Sequence, residues 1–144
     1  MKETGGLTVL NHLKTVDDML ELMEKYPQAA KEVVAFYLDK LLDSLKTESV
    51  PEDFKQYVRQ QGVDNNTIAK IVENSPRMLF DVFDAYELFV ETMYMENAFH
   101  YTVSNGTEIV ASNSKNYNTR KECDQAAVED AFKLLNDKLC EQTQ

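Results

Sequence analysis

Ser75-Pro-Arg-Met-Leu-Phe-Asp-Val-Phe-Asp-Ala-Tyr-Glu-Leu-Phe-Val-Glu-Thr-Met-Tyr-Met95 is the stretch around which we expect the rest of the chain to fold. Ser75 suits the N-cap of a helix, and Pro76 suits its first position, where a backbone N–H is not needed. An apolar face recurs at helical spacing and consists of Leu79, Val82, Phe83, Tyr86, Phe89, Val90 and Met93. Because a helix with so wide an apolar face is usually covered on several sides, the sequence predicts a central helix over residues 75–95.

The predicted central helix leaves one narrow side open, and that side is acidic. It carries Asp81, Asp84, Glu87 and Glu91, which we call the acidic stripe. No Lys or Arg occurs between Arg77 and Lys115. We interpret the acidic stripe as a surface for another protein, and we take Tyr117, in a polar loop further along, as a second contact candidate. A metal site is less favoured, because helical metal sites draw carboxylates from several helices and often use a histidine.

The bulk composition fits one domain that is large enough to bury its own core. The chain has 144 residues and a formal net charge of −10, from 25 acidic and 15 basic side chains. Nucleic acid and anionic membranes are therefore unfavourable partners, whereas a protein with a basic surface is a favourable one. The first residues contain no apolar signal-peptide core, and no run of about 18 apolar residues occurs, so we expect neither secretion nor a membrane span.

The two cysteines favour a reducing compartment. Cys123 and Cys140 lie 17 residues apart within one predicted helix. At about 1.5 Å per residue this separates them by roughly 25 Å, which is beyond the reach of a disulfide. Two reduced thiols are typical of a cytoplasmic protein.

Four helices are predicted ahead of residue 75, and the first two carry clear start signals. Thr15 and Asp18 form a capping box for a helix that runs through Tyr26, with Asp in place of the usual Glu. Pro27 then begins a helix that runs to about Lys46, with apolar residues at three- and four-residue spacing.

The next two helices are shorter. Pro51 opens a helix to Gln61, and Gly62 is placed to supply the left-handed residue that ends it. Asp64 or Asn65 caps the following helix. Its apolar residues are Ile68, Ile71 and Val72.

The same two short helices match the spacing of a helix-turn-helix. The packing positions would be Val58, Gly62, Ile68 and Ile71, and the positions facing a DNA groove would be Asn65, Asn66, Thr67 and Lys70. The basic and acidic residues around them offset each other, so no basic footprint results. DNA binding by such a regulator is therefore the alternative function, and protein binding is the preferred one.

A β-hairpin and a last helix are predicted after residue 96. Two β-rich segments flank Asn105-Gly106, a pair typical of a type I′ turn because both residues tolerate positive φ. Thr119 and Glu122 form a capping box for the last helix. Because an isolated hairpin is only marginally stable, we expect it to pack on that helix.

One pattern in this region carries a likeness to a known family: Phe99, Tyr101, Val103, Asn105, Gly106, Ile109, Val110, Ala111, Tyr117 and Thr119, followed by an alanine-containing helix. With this pattern the segment 99–139 resembles the hairpin–helix module of the YegP-like domains of unknown function. The resemblance implies a hairpin packed on a helix and no particular activity, and the tandem repeat of that family is absent here. The chain as a whole is similar to the small acidic accessory proteins that tailed phages encode.

The usual catalytic patterns are missing from the sequence. The two histidines, His12 and His100, lie at no metal-ligand spacing to each other or to a cysteine. His100-Tyr-Thr102 has the form of half of a two-histidine phosphodiesterase site, and no second half occurs. We therefore expect no enzyme activity, no cofactor and no metal, and we keep an enzyme with an unrecognised site as a third hypothesis.

Together these patterns predict an α+β fold that is predominantly helical. A helical body over residues 1–95 would be followed by a hairpin and helix over 96–144, packed together as one domain. Residues 1–6 are expected to form a loose start, and residues 7–14 a short helix or an extended arm. The predicted function is that of a cytoplasmic, acidic, non-enzymatic protein-binding module, such as an inhibitor or modulator of a host protein, with homo-oligomer formation left open.

Overall fold

The computed structural model describes residues 13–46, 49–113 and 115–142, and the fold is α+β and mainly helical, as predicted. The predicted loose start and most of the segment 7–14 lie outside the described residues. The helices are α1 (Val16–Lys25), α2 (Pro27–Ser44), α3 (Glu52–Gln61), α4 (Asn65–Asn74), a 3₁₀ helix (Pro76–Leu79), α5 (Phe80–Ala85) and α6 (Arg120–Gln142). The strands are β1 (Phe89–Met95), β2 (Ala98–Ser104) and β3 (Ile109–Ser112), which form an antiparallel sheet in that order.

Local sequence signals set the ends of α1, α3 and α4. Thr15 Oγ1 accepts the N–H of Asp18 at 3.3 Å, and Asp18 Oδ2 accepts the N–H of Thr15 at 2.9 Å, so the predicted capping box of α1 is confirmed. Asp64 Oδ1 accepts the N–H of Thr67 at 2.9 Å and caps α4. Gly62 ends α3 with a left-handed φ of 68°, which its lack of a Cβ permits.

The predicted central helix over residues 75–95 is wrong in its second half, where helical structure ends with α5 and β1 follows. Glu87 takes a left-handed φ of 62°. The N–H of Leu88 donates to the carbonyl of Phe83 at 2.9 Å, and the N–H of Glu87 donates to the carbonyl of Asp84 at 3.0 Å. These two bonds form a Schellman cap with glutamate where glycine is usual, so the sequence lacks the signal that normally marks such an ending.

The sheet has a third strand, and its tight turn lies elsewhere than predicted. Glu96 and Asn97 alone join β1 to β2, with φ of 55° and 65°, and two positive φ values are the mark of a type I′ turn. The prediction of such a turn at Asn105-Gly106 is wrong, because four residues join β2 to β3 and only Gly106 among them has positive φ. Asn105 Oδ1 instead accepts two backbone N–H groups of this loop at 3.0 Å.

The central element of the fold is α6. It contacts α2, α4, α5, the 3₁₀ helix, β1 and β2, so the hairpin packs on it as predicted. Residues 122–128 are buried on all sides of the helix, and Ala131, Phe132 and Leu135 continue the buried surface. Phe132 meets Phe83 of α5 edge to face, with ring centroids 5.8 Å apart and both side chains fully buried. The core therefore lies around α6, with the sheet on one side and helices on the others.

Polar side chains of α6 complete the ends of three other helices. Gln125 Nε2 donates to two carbonyls in the last turn of α4, at 3.2 and 3.4 Å. Asn136 Oδ1 accepts two N–H groups in the first turn of α2, at 2.9 and 3.1 Å. Lys138 Nζ donates to the carbonyl of Tyr86, just after α5, at 2.6 Å. Because α6 joins these helices and β1 pairs with β2, the two predicted parts, 1–95 and 96–144, share one core and one sheet.

Candidate functional site

The three-stranded sheet turns one face to the core and the other outward. Val90 pairs with Val103, and Thr92 pairs with Tyr101, so these side chains lie on one face. Tyr101 and Val103 are buried, and this face packs on α6. Because side chains alternate along a strand, the intervening residues point the other way. We call this outer surface the exposed sheet face, and its members on the two outer strands include Phe89, Glu91, Met93, Met95 and Ile109.

Apolar side chains dominate the exposed sheet face. Ser104 of β2 pairs with Phe89 on one side and with Ile109 on the other, so the two apolar residues flank the same hydroxyl. Phe89 is 39% exposed, Met93 37%, Met95 51% and Ile109 63%. Single exposed apolar residues are ordinary, but several on one face are typical of an interaction surface.

Carboxylates surround these apolar side chains. Glu91 lies on the exposed sheet face itself, and Glu108 directly precedes β3. Glu87 and Glu96 lie at the two ends of β1, and all four glutamates are exposed. Residues 78–114 contain no Lys or Arg. The surface therefore carries large apolar side chains on its two outer strands, the polar His100, Thr102 and Ser104 on its central strand, and carboxylates among and around them.

The prediction that the acidic stripe lies along one side of a helix is wrong. Its four residues are exposed, but Asp81 and Asp84 belong to α5, Glu87 to the following turn and Glu91 to β1. Asp81 is paired with Lys40, with 3.3 Å between Oδ2 and Nζ. Burial, followed by the charge of Asp81, raises the pKa of Asp84. Only Glu91 lies on the exposed sheet face, because α5 ends before the stripe does.

Tyr117 holds its loop onto the sheet. The N–H of Phe99 donates to the carbonyl of Tyr117 at 2.9 Å, and the N–H of Tyr117 donates back to Phe99 at 3.4 Å. The half-buried Tyr117 ring lies beside Tyr101, with centroids 6.4 Å apart, and burial is the main cause that raises the pKa of Tyr117. Its role in partner contact stays a prediction.

The residues of the alternative DNA-binding function are all exposed on α4: Asn65, Asn66, Thr67 and Lys70. Asp64 places a carboxylate at the same end of the helix and accepts the hydroxyl of Thr67 at 2.8 Å. In addition, α3 packs on α2, whereas α4 packs mainly on α1. A carboxylate at the end that would enter the groove repels phosphates, so this arrangement does not favour DNA binding, which stays a prediction.

An ionic network with one buried carboxylate, that of Asp124, ties β1 and the 3₁₀ helix to α6. Asp124 is 3% exposed, and its Oδ2 accepts Arg77 Nε at 3.1 Å. Arg77 and Arg120 both donate to the hydroxyl of Thr92, Arg120 at 3.3 Å. Within the described part of the chain, Asp124 Oδ1 has no hydrogen-bond partner. Burial raises the pKa of Asp124 by more than the arginines and Thr92 lower it.

The histidine and cysteine side chains that the structure describes take part in packing and local hydrogen bonds. His100 contacts the carbonyl of Met95 through Nε2 and the amide of Asn113 through Nδ1, each at 3.2 Å. Cys123 is fully buried, and burial raises the pKa of its thiol to about 12, so the thiol is protonated at neutral pH. No group of three or more His, Cys, Asp or Glu among the described residues is arranged to hold a metal ion.

The exposed sheet face was not predicted from the sequence, because Phe89 and Met93 were assigned to the buried side of a helix. A signal for the sheet was present. Phe89–Met95 and Ala98–Ser104 are two β-rich segments separated by two residues, which is the pattern of a hairpin. Helical spacing of the apolar residues fits the same stretch, and periodicity alone does not decide between the two.

The chain matches no protein-family model, no curated protein and no solved structure. The resemblance of residues 99–139 to the YegP-like module therefore stays a prediction. None of the described helices has the length and apolar composition needed to cross a membrane.

Proposed function

We propose that this protein is a non-enzymatic module that binds another protein through its exposed sheet face. One observation carries the proposal. Four large apolar side chains, those of Phe89, Met93, Met95 and Ile109, stay exposed on one face of a sheet whose other face is packed on α6. Aromatic residues and methionine are enriched at protein interfaces relative to other surfaces.

The charges around this face define the partner. A partner that covers the apolar residues gains about 25 cal/mol for each Å² of apolar area removed from water. Glu87, Glu91, Glu96 and Glu108 favour Lys and Arg at the edge of the partner's surface. They speed the encounter with a basic partner more than they strengthen the final complex. A partner surface that combines apolar side chains with Lys and Arg fits both requirements.

A module of this kind acts by occupying its partner's surface, so an inhibitor or modulator in the cytoplasm is the role that we propose. A second copy of the chain is a less suitable occupant of the same face. Each copy carries a net charge of −10, and the carboxylates around the two faces would repel each other.

The experiment is affinity capture from the native host with three forms of the protein. The first is the wild type. The second, the sheet variant, combines Met93→Thr and Ile109→Thr, which remove exposed apolar surface and keep strand propensity. The third, the control variant, combines Phe54→Gln and Tyr57→Gln on α3, where the side chains are 50% and 58% exposed.

We expect the wild type and the control variant to retain the same host protein, and the sheet variant to lose it. Circular dichroism and thermal melts establish that all three forms are folded. Equal recovery of that protein by the sheet variant would show that the contact lies elsewhere.

A further inference from the structure

One strand of the sheet, β1, forms an open edge. The strand order is β1-β2-β3, so β1 is paired on one side only. The hydrogen bonds of β2 show which backbone groups of β1 point toward β2 and which point away from it. The N–H of Phe99 donates to Tyr117 at 2.9 Å, and the carbonyl of Tyr101 accepts the N–H of Asn113 at 3.3 Å, so Phe99 and Tyr101 bond away from β1. Because the direction of these groups alternates along a strand, the intervening residues of β2 bond to β1.

The alternation identifies the free backbone groups of β1 as those of Val90, Thr92 and Tyr94. These residues lie opposite the β2 residues that bond the other way. The turn gives the same result, because Met95 and Ala98, which flank a two-residue type I′ turn, form a hydrogen-bonded pair. No hydrogen bond from the described residues reaches the three N–H and three C=O groups that point outward.

This edge has few of the features that usually protect an edge strand. Such strands carry charged residues, above all Lys, or Pro, are very short, contain a bulge, or are covered by a helix or loop. The seven residues of β1 include neither Lys nor Pro, and Glu91 is their only charged residue. The opposite edge, β3, has four residues and a register shift between Val103 and Ser104 of its neighbour. Among the strands that the structure describes, β1 alone therefore offers a regular edge for another strand.

We propose that an extended segment of the partner protein adds to the sheet as a fourth strand beside β1. This inference rests on the proposed function and assigns the partner's backbone to the edge of the same sheet. On the exposed side the segment meets Glu91 in the middle of β1, with Glu87 and Glu96 at its ends. These carboxylates select a segment that places Lys or Arg between apolar residues.

The inner side of the edge has the opposite charge. Arg77 and Arg120 both reach the hydroxyl of Thr92 there, and both arginines are exposed. The segment's side chains that point inward next to Thr92 would therefore be acidic or amide. A second copy of β1 supplies the wrong charge, because it would bring its own Glu91 to an edge that already carries glutamate.

The test uses a library of random linear peptides displayed on phage and selected on the immobilised protein. We expect the enriched peptides to lack proline, to place Lys or Arg between apolar residues on the side that faces Glu91, and to place an acidic or amide residue next to Thr92 on the other side. When a selected peptide saturates the protein, hydrogen exchange of the Val90, Thr92 and Tyr94 amides should slow by at least about tenfold. Enrichment of proline-rich peptides, of peptides without Lys or Arg, or of none would overturn the inference.

Backbone methylation of the selected peptide gives the sharper readout. Only every second N–H of an added strand points to β1, so N-methylation at one alternate set of positions should abolish binding, and at the other set should leave it largely unchanged. Equal effects at both sets would overturn strand addition. Glu91→Lys should weaken binding, whereas Glu24→Lys, the same charge change on an exposed residue of α1, should not.

These experiments distinguish failure of the proposed strand addition at β1 from failure of the proposed binding through the exposed sheet face. Loss of binding by the sheet variant without protection of the three amides would leave the proposed function standing and overturn the edge. Protection of the amides with unchanged binding by the sheet variant would support the edge and overturn the face. Dimerisation through β1 in sedimentation measurements would show that a second copy occupies the edge and would also overturn the inference.

Discussion

Asn136 and Gln28, 108 residues apart in the sequence, are joined by a hydrogen bond that supplies a missing helix cap. The N–H of Gln28 donates to Asn136 Oδ1 at 2.9 Å, and the N–H of Ala29 donates to the same oxygen at 3.1 Å. Tyr26, which precedes α2, makes no side-chain capping bond. The start of α2 therefore takes its acceptor from α6, and the cap also fixes the position of one helix on the other.

The first prediction tests this cap. Asn136→Ala should lower the free energy of unfolding by about 0.5–2 kcal/mol, the usual effect of losing a capping side chain. Asn136→Asp keeps the acceptor and places a negative charge at the positive end of α2, so it should retain or raise stability. Urea denaturation measures both. Equal destabilisation by the two variants would show that the bond contributes nothing specific.

The central position of α6 could not be predicted from its sequence, because its polar residues cap helices that are distant in the sequence. The polar residues Glu122, Asp124, Gln125, Asn136 and Lys138 interrupt its apolar pattern, so the pattern does not indicate a helix that is buried on all sides. In the structure Gln125, Asn136 and Lys138 bind the ends of other helices. Helix ends carry backbone N–H and C=O groups without partners in the helix, and inside the fold these groups require partners. Caps that come from distant residues leave no local pattern, whereas the Thr15–Asp18 box, which is local, was predicted correctly.

The second prediction concerns the Schellman cap at Glu87. A residue other than glycine in the left-handed region is strained by roughly 1 kcal/mol, so Glu87→Gly should stabilise the fold by up to about that amount. Glu91→Gly, a matched change within β1, should destabilise it because glycine weakens a strand. Thermal melts of both variants decide the point. A loss of stability for Glu87→Gly would contradict the left-handed cap.

The same cap explains how much of the candidate site was predictable. The acidic stretch over residues 78–114, which contains no Lys or Arg, was recognised in the sequence. Its interpretation as a surface for another protein stays a proposal. The arrangement of these residues was not predicted. The cap that ends α5 has glutamate at the position where glycine is usual, so the sequence does not indicate that the helix ends and that a strand follows. Phe89 and Met93 were consequently placed in the core. Asp81, Asp84 and Glu87 were placed in one stripe with Glu91, which alone among the four lies on the exposed sheet face.

The third prediction concerns the contact at the centre of the core. Phe83→Ala should destabilise the protein by about 3–5 kcal/mol, because it removes a buried ring from Phe132 and leaves a cavity. Phe54→Ala, at a residue that is half exposed on α3, should have a much smaller effect. Chemical denaturation compares the two. A similar effect of both changes would contradict the assignment of α5 to the core.

The fourth prediction concerns Asp124 and pH. Burial raises its pKa in the folded state, so the folded protein binds the proton more tightly than the unfolded chain does. The stability that this group contributes is therefore fully present below the unfolded pKa and is lost as pH rises through the folded pKa. Relative to Asp124→Asn, the wild type should be more stable near pH 3 than near pH 7, because these values lie below and well above the ordinary aspartate pKa of about 3.9. The opposite trend in urea denaturation would show that pairing with Arg77 outweighs burial.

Hydrogen exchange by mass spectrometry, on the free protein and on its complex with the captured host protein, tests the central claim most directly. We expect slower exchange in peptides from Phe89–Ser112 when the partner is bound, and unchanged exchange in α3, whose exposed Phe54 and Tyr57 serve as the comparison surface. Protection confined to the helices, with residues 89–112 exchanging equally in the free and bound states, would contradict the assignment of the sheet as the binding surface.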